Sequence, residues 1–203
     1  MVYYTAERIY RAYVSGDKGG GMSSKINVTD IVLGHIATLA DPAGKRSLMD
    51  YVTFFAFPGV VAALGCYAGY NLNKDVSSML VNFGAIFTAL LLSVLVLVYD
   101  QESKLKEVGG LKTVDPLYNV KKELLKQLYY NICFSIVSSI VLVGLCFVHS
   151  ILYKVVSVFE FSGCVVRVDY ARYVLTPLVI FVTVNLMLTI IMIVKRMHAM
   201  LTI

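Results

Sequence analysis

The sequence predicts an all-α membrane protein with four transmembrane helices. Three observations carry that fold class. Apolar residues make up 58% of the 203 and charged residues only 15%, against roughly 25% charged in a soluble domain, and the mean hydropathy is +0.75. Four stretches, 51–73, 76–99, 127–153 and 173–194, contain no Asp, Glu, Lys or Arg. Each is near or above the ~20 residues a helix needs to cross the hydrocarbon core. Lastly, fourteen of the eighteen basic residues fall in 1–50, in 100–126 and after 194. The positive-inside rule then puts both termini and the central loop in the cytoplasm of a multi-pass inner (plasma) membrane protein.

Segment 1–50 reads as cytoplasmic. "MVYYTAERIYRAYV" is a short amphipathic helix, with Tyr3, Ile9, Tyr10, Tyr13 and Val14 opposite Glu7, Arg8 and Arg11, suited to a headgroup layer or a partner groove. "SGDKGGGMSS" is a flexible linker by composition. A second helix starts at a Thr29 or Asp30 cap, presents Ile31, Val32, Ile36 and Leu39 as its apolar face, and stops at Pro42 and Gly44. His35 lies in it and reads as a solvated or packed histidine rather than a ligand.

Spans one and two, 51–99, form a hairpin across the short link "NLNKDVSS". The first begins the chain's membrane insertion as an internal signal-anchor without a cleavage site. Its Pro58 is an irregularity that neighbouring groups can satisfy. Gly59, Gly65, Gly69 and, on span two, Gly84 are helix-packing candidates, because small residues let two backbones approach.

The loop 100–126 is helical and cytoplasmic. "DQESKLKE" extends span two, "GG" breaks the helix, and Asp115-Pro116 opens a new one running into span three. With six basic and five acidic residues, its surface suits protein contacts, and no direct nucleic-acid binding is expected. Leu117, Tyr118, Leu124 and Leu125 are candidates for docking a partner. Spans three and four occupy 127–195, joined outside by 154–172, where β-branched and aromatic residues around "EFSGC" suggest a small β-hairpin or an interfacial cap. Residues 196–203 form a cytoplasmic tail.

Catalytic chemistry is not expected. The spans hold no midplane carboxylate, arginine ladder or nucleophile–base pair, and the cysteines and histidines form no metal-ligand spacing, so neither metal nor cofactor is anticipated. The polar content of the spans is uncharged. Asn131, Ser135, Ser138 and Ser139 fall at i, i+4, i+7 and i+8, one face of a helix, and Asn82 and Asn185 add one amide each to spans two and four. Such groups either bond to a neighbouring helix or line a water path. A single four-helix subunit has no room for a pore around its packed core, so a pore requires a homo-oligomer around a shared axis.

The "GVVAALGCYAGYNLNKDVSSML" hairpin, the charged extension "YDQESKLKE" and the two further spans resemble in layout the small multi-span membrane proteins of bacterial anti-phage defence. These include pore-forming effectors of nucleotide-signalling systems and the membrane subunit of the Kiwa system. The resemblance implies a soluble partner or a signal acting from the cytoplasm, with oligomerisation in the inner membrane. The sequence expectation is therefore an oligomeric channel or pore-forming effector gated from the cytoplasmic side, its path lined by the polar stripe. The alternative is a membrane anchor or sensor subunit that recruits and regulates a soluble cytoplasmic effector.

Overall fold

A computed structural model describes residues 28–39, 48–109, 117–153, 156–161 and 164–202. The amphipathic segment 1–14, the glycine-rich linker, the Pro42–Gly44 stop and the Asp115-Pro116 helix start lie outside the described residues.

Four helices are long and apolar enough to cross a membrane: α2 (Met49–Tyr67), α3 (Lys74–Glu107), α4 (Tyr118–Leu152) and α5 (Ala171–Thr202). A nine-residue helix, α1 (Thr29–Ala37), precedes them. Between α4 and α5, strands β1 (Val156–Phe161) and β2 (Cys164–Asp169) pair antiparallel, with Val156 opposite Asp169.

The charged segments leave the bundle as helix. The helix of α3 runs on through "DQESKLKE" to Gly109, with Lys104–Asp100 and Lys106–Glu102 pairs at 2.7 Å and i,i+4 spacing on its exposed face. Helix α4 passes from "VKKELLKQ" into its apolar run without a break. At α1 the sequence expectation needs correction. Val28 occupies the N-cap position, one residue before Thr29, and the helix ends at Ala37, well before Pro42.

Helix α4 is the centre of the arrangement. It packs against α3, α5 and α1, while α2 packs against α5. Of its apolar window 39% is buried, against 17–28% for the other three. Consecutive α2 and α3 make no mutual contact of comparable extent, so the expected hairpin is opened. The cause is the link between them, which lies across the start of α5. Leu72 is buried there, with its N–H directed at Thr176 Oγ1 (3.5 Å), and the Gly69 carbonyl accepts from Arg172 (3.3 Å).

Two apolar clusters fill the interior. Leu91, Val98, Leu125, Leu128, Ile132 and Ile193 form one, towards the end that carries the charged extensions. Leu72, Leu142, Cys146, Val179 and Leu186 form the other. Between them lies a layer of small polar residues: Ser135, Ser139 and Thr189 have no exposed surface, and Asn185 is buried.

The glycines divide by role. Gly84 lies so close to α4 that an added Cβ would meet Val143 Cγ2 at 2.8 Å and the Ser139 carbonyl at 3.3 Å, and Gly65 faces Ile180 of α5. A Cβ on Gly59 would meet nothing within 4 Å, so no neighbour within the chain requires glycine there. Gly69 is a helix terminator instead of half of a GxxxG pair. Its φ is +70°, and the bonds Tyr70 N–H to Gly65 O and Gly69 N–H to Cys66 O close a Schellman motif.

Pro58 shows how one span depends on another. In an α-helix the Phe54 carbonyl would accept from residue 58, but proline has no N–H. The chain widens into a π-turn over Val52–Ala56, and Asn185 Nδ2 of α5 donates to the Phe54 carbonyl at 2.8 Å. Removing the donor leaves a buried acceptor unsatisfied, a loss of about 1–3 kcal/mol. Asn185→Val should therefore destabilise the protein by about 1 kcal/mol or more, and the loss should shrink when Pro58→Ala restores a backbone donor. Unfolding of the four members of this cycle in detergent measures the coupling. An equal loss in both backgrounds would mean that the amide does not substitute for the proline's missing N–H.

Candidate functional site

The densest polar contact in the described residues is where α1 meets the bundle. Asn131 has no exposed surface and lies just inside the apolar run of α4. Its side-chain oxygen is 2.9 Å from His35 Nδ1 and 2.9 Å from Thr38 Oγ1. Thr38 Oγ1 is also 2.7 Å from the His35 carbonyl. Arg196 of α5 donates from Nη2 to the Thr38 carbonyl at 2.7 Å. A cation there complements the negative C-terminal end of α1. Three helices are thus tied at one point.

Thr38 has one proton and two acceptors within reach. The same heavy-atom positions accept the Asn131 amide turned end for end. Nδ2 then donates to both Thr38 Oγ1 and His35 Nδ1, and the Thr38 proton serves the His35 carbonyl. Either orientation joins the same groups. With the amide oxygen towards His35 and Thr38, Asn131 Nδ2 makes no hydrogen bond; among the described residues the same holds for Ser135 Oγ, Arg196 Nη1 and both ring nitrogens of His149.

Shape completes the contact. The His35 ring stacks on Phe134 with centroids 3.9 Å apart and planes within 2°, and meets Phe54 edge-on at 6.1 Å. Gly34 lies on the Tyr130 ring so closely that a Cβ would overlap it. Burial drives the His35 imidazole down to about 4, against a hydrogen bond to Asn131 that favours the charged form, and the Arg196 charge lowers it further. His35 is therefore neutral in the docked helix.

Much of the polar stripe is consumed in this packing. Asn131, Ser135 and Ser139 are fully buried inside one subunit, and Ser138 is half-buried. Ser139 Oγ donates back to the Ser135 carbonyl at 2.9 Å, as Thr189 does to Asn185 (2.9 Å) and Thr183 to Val179 (2.7 Å). In this arrangement the stripe does not face a shared axis, which corrects the expectation that it lines an intersubunit path. Asn185 is occupied with Phe54. Asn82 alone of the candidate amides is exposed on the outer face of the bundle, on α3.

Leu125 is buried in the apolar cluster and is unavailable to a partner, Leu124 and Tyr118 are half-buried, and Leu117 is exposed. Sequence reasoning missed the nearby tyrosines. Tyr129 and Tyr130, with Glu102, Lys122, Glu123 and Lys126, line a cleft of about 500 Å³ between the extensions of α3 and α4. A smaller hollow of about 190 Å³ on the α1 side shares Glu123, Lys126 and Tyr130 with it. The signal for this cleft was the "YY" step following a run of paired Lys and Glu. No group of three or more His, Cys, Asp or Glu side chains among the described residues is placed to hold a metal.

Docking of α1 should depend on pH. Because His35 titrates near 4 when docked and near 6.5 otherwise, the undocked form takes up the proton first. Docking is at full strength above pH 6.5, weakens as pH falls towards 4, and has lost about 3 kcal/mol below that window. Arg196 stays charged throughout and adds to the repulsion. Amide exchange of residues 29–37, measured on the membrane-reconstituted protein and corrected for intrinsic rates, should rise across the window, and His35→Phe should flatten the response. Gly34→Leu should raise exchange of α1 at every pH.

Compared with protein-family models, curated proteins and solved structures, the chain matches none.

Proposed function

We propose that this chain is a membrane anchor and sensor subunit, with both termini and the α3–α4 loop in the cytoplasm, that holds a soluble protein partner and couples it to the bundle through α1. The observation that carries this reading is the position of Tyr130. One side of its ring bears on Gly34 of α1, and the residue also lines the cleft between the cytoplasmic extensions. A partner seated in the cleft would press on the same residue that fixes α1. The cleft has the composition of a protein-binding site, since tyrosines are frequent binding hot spots and its two lysines and two glutamates supply a mixed polar rim. Tyr129 is 46% exposed and is the natural anchor.

The test is photo-cross-linking in cells from position 129, with position 79 at the far end of α3 as control. A soluble adduct of defined mass should form only from position 129 and be lost with Lys122→Glu/Lys126→Glu. Adducts to lipid alone, or the same adducts from both positions, would remove this reading.

A second reading, a homo-oligomeric channel of the kind found in anti-phage defence, is favoured by one feature of α3. Ser78, Asn82, Ala85, Ala89 and Ser93 are all exposed and follow one another at three- or four-residue steps. A small, partly polar face with an amide turned towards lipid suits helix–helix association, and around a symmetry axis it would place Asn82 and the serines inward. Asn82→Leu should then reduce the oligomer to monomer in size-exclusion light scattering and abolish any ion flux in liposomes, while Ser135→Ala leaves both unchanged. Flux and assembly that survive Asn82→Leu would exclude α3 as the wall of a pore.

A further inference from the structure

The cytoplasmic ends of α3, α4 and α5 enclose a second groove, of about 570 Å³, apart from the tyrosine cleft. Its floor is Val94, Val98 and Leu128, all within the charge-free stretches of α3 and α4. Its outer rim carries Gln101, Lys104 and Lys121. Lys104 lies six residues beyond Val98, about 9 Å along the helix, and Lys121 seven residues before Leu128, about 10 Å. Since α3 runs out of the bundle and α4 runs into it, the two ammonium groups stand at one height above one apolar floor.

We propose that this groove is a binding site for an anionic phospholipid of the leaflet that faces the basic extensions. The apolar floor takes an acyl chain and the lysines take the phosphate. Three observations favour this occupant. The groove opens sideways beside Leu97, which is 61% exposed and lies within the charge-free stretch of α3, while Leu201 of the tail, 79% exposed, borders the mouth at the level of the lysines, so an amphiphile can enter with its acyl chain still in the membrane. Basic pockets between transmembrane helices are matched to anionic headgroups. The chain's own segment 1–27 is a poor competitor, because its Arg8, Arg11, Lys18 and Lys25 outnumber Glu7 and Asp17 and would meet like charge at the rim. Lys104 is held by Asp100 at 2.7 Å, but an ammonium has three donors and an exposed pair of this kind binds weakly. The site stands independently of the partner and channel readings.

The test uses the full-length protein, delipidated in mild detergent and offered phosphatidylglycerol or phosphatidylcholine. Native mass spectrometry should find phosphatidylglycerol retained in preference. Each lysine removed should cut that preference about fivefold, so Lys104→Gln/Lys121→Gln should nearly abolish it. Leu201→Trp keeps both charges and narrows the mouth, and should reduce retention of lipid with the lysines intact. A photoactivatable phosphatidylglycerol should cross-link to peptides containing Leu128 or Met200. Equal retention of the two lipids, a double lysine variant that behaves as the native protein, or cross-links between the groove and residues 1–27 in place of lipid would each overturn the proposal.

Discussion

The amide of Asn131 is the contact on which the α1 end of the bundle depends. It is a polar group with no exposed surface, set at the point where α4 passes from charged to apolar sequence. A buried amide without partners loses more free energy than one bond returns, so something must cover it. Helix α1 supplies that cover with His35 and Thr38, and the Thr38 carbonyl in turn takes Arg196. A nine-residue helix of modest amphipathicity has little reason to be helical by itself. Its order comes from this contact, and with it the positions of Gly34 and Tyr130 that shape the neighbouring cleft.

The same rule explains the other polar side chains of the bundle. In hydrocarbon every backbone donor and acceptor must be met within the protein. Two of the four apolar helices contain a proline, at the middle of α2 and near the start of α5, and both widen before it into a π-turn, Val52–Ala56 before Pro58 and Ala171–Leu175 before Pro177. At the first, Asn185 meets the freed carbonyl. At the second, the Ala171 carbonyl takes the Thr176 N–H across the π-turn and the Thr176 Oγ1 proton as well, at 2.9 Å; this is an added bond and not a replacement for the donor that Pro177 lacks. Ser139, Thr183 and Thr189 bond to carbonyls of their own helices. These residues stabilise helices that already exist, which is why a polar residue in such a span is weak evidence for a water path.

The existence and approximate extent of the four apolar helices were legible from charge-free length alone, because the hydrocarbon thickness imposes it. The orientation of the polar stripe was not. A face of Asn and Ser at helical spacing reads the same whether it meets water, a second subunit or other helices of its own chain, and only the placement of α1 over Asn131 and of α3 over Ser139 decides among them. Span order was also hidden. Consecutive helices with a short link are expected to pair, yet burial of Leu72 and the Arg172–Gly69 bond place the start of α5 across that link. The Gly65/Gly69 pair misled for a similar reason, since a glycine needed for positive φ and one needed for close approach are identical in sequence. Leu125 looked available because its neighbours are charged, but the helix turns it inward against Val98 and Ile193.

The two ends of the bundle are fastened by bonds of different kinds. At the end that carries the β-hairpin the ties run from side chain to backbone: Arg172 to the Gly69 carbonyl, Asp169 to the Arg172 N–H, and Thr176 to the Ala171 carbonyl. They hold chain reversals that cannot change without refolding. At the other end Arg196 likewise holds the Thr38 carbonyl, but the ties between α1 and α4 run from side chain to side chain. Those bonds can be exchanged for bonds to a proton, water or a partner while each helix stays intact. The exchangeable contacts therefore lie at one end of the bundle. In this protein that is where α1, Tyr130, the mixed-charge cleft and the lysine-rimmed groove are gathered.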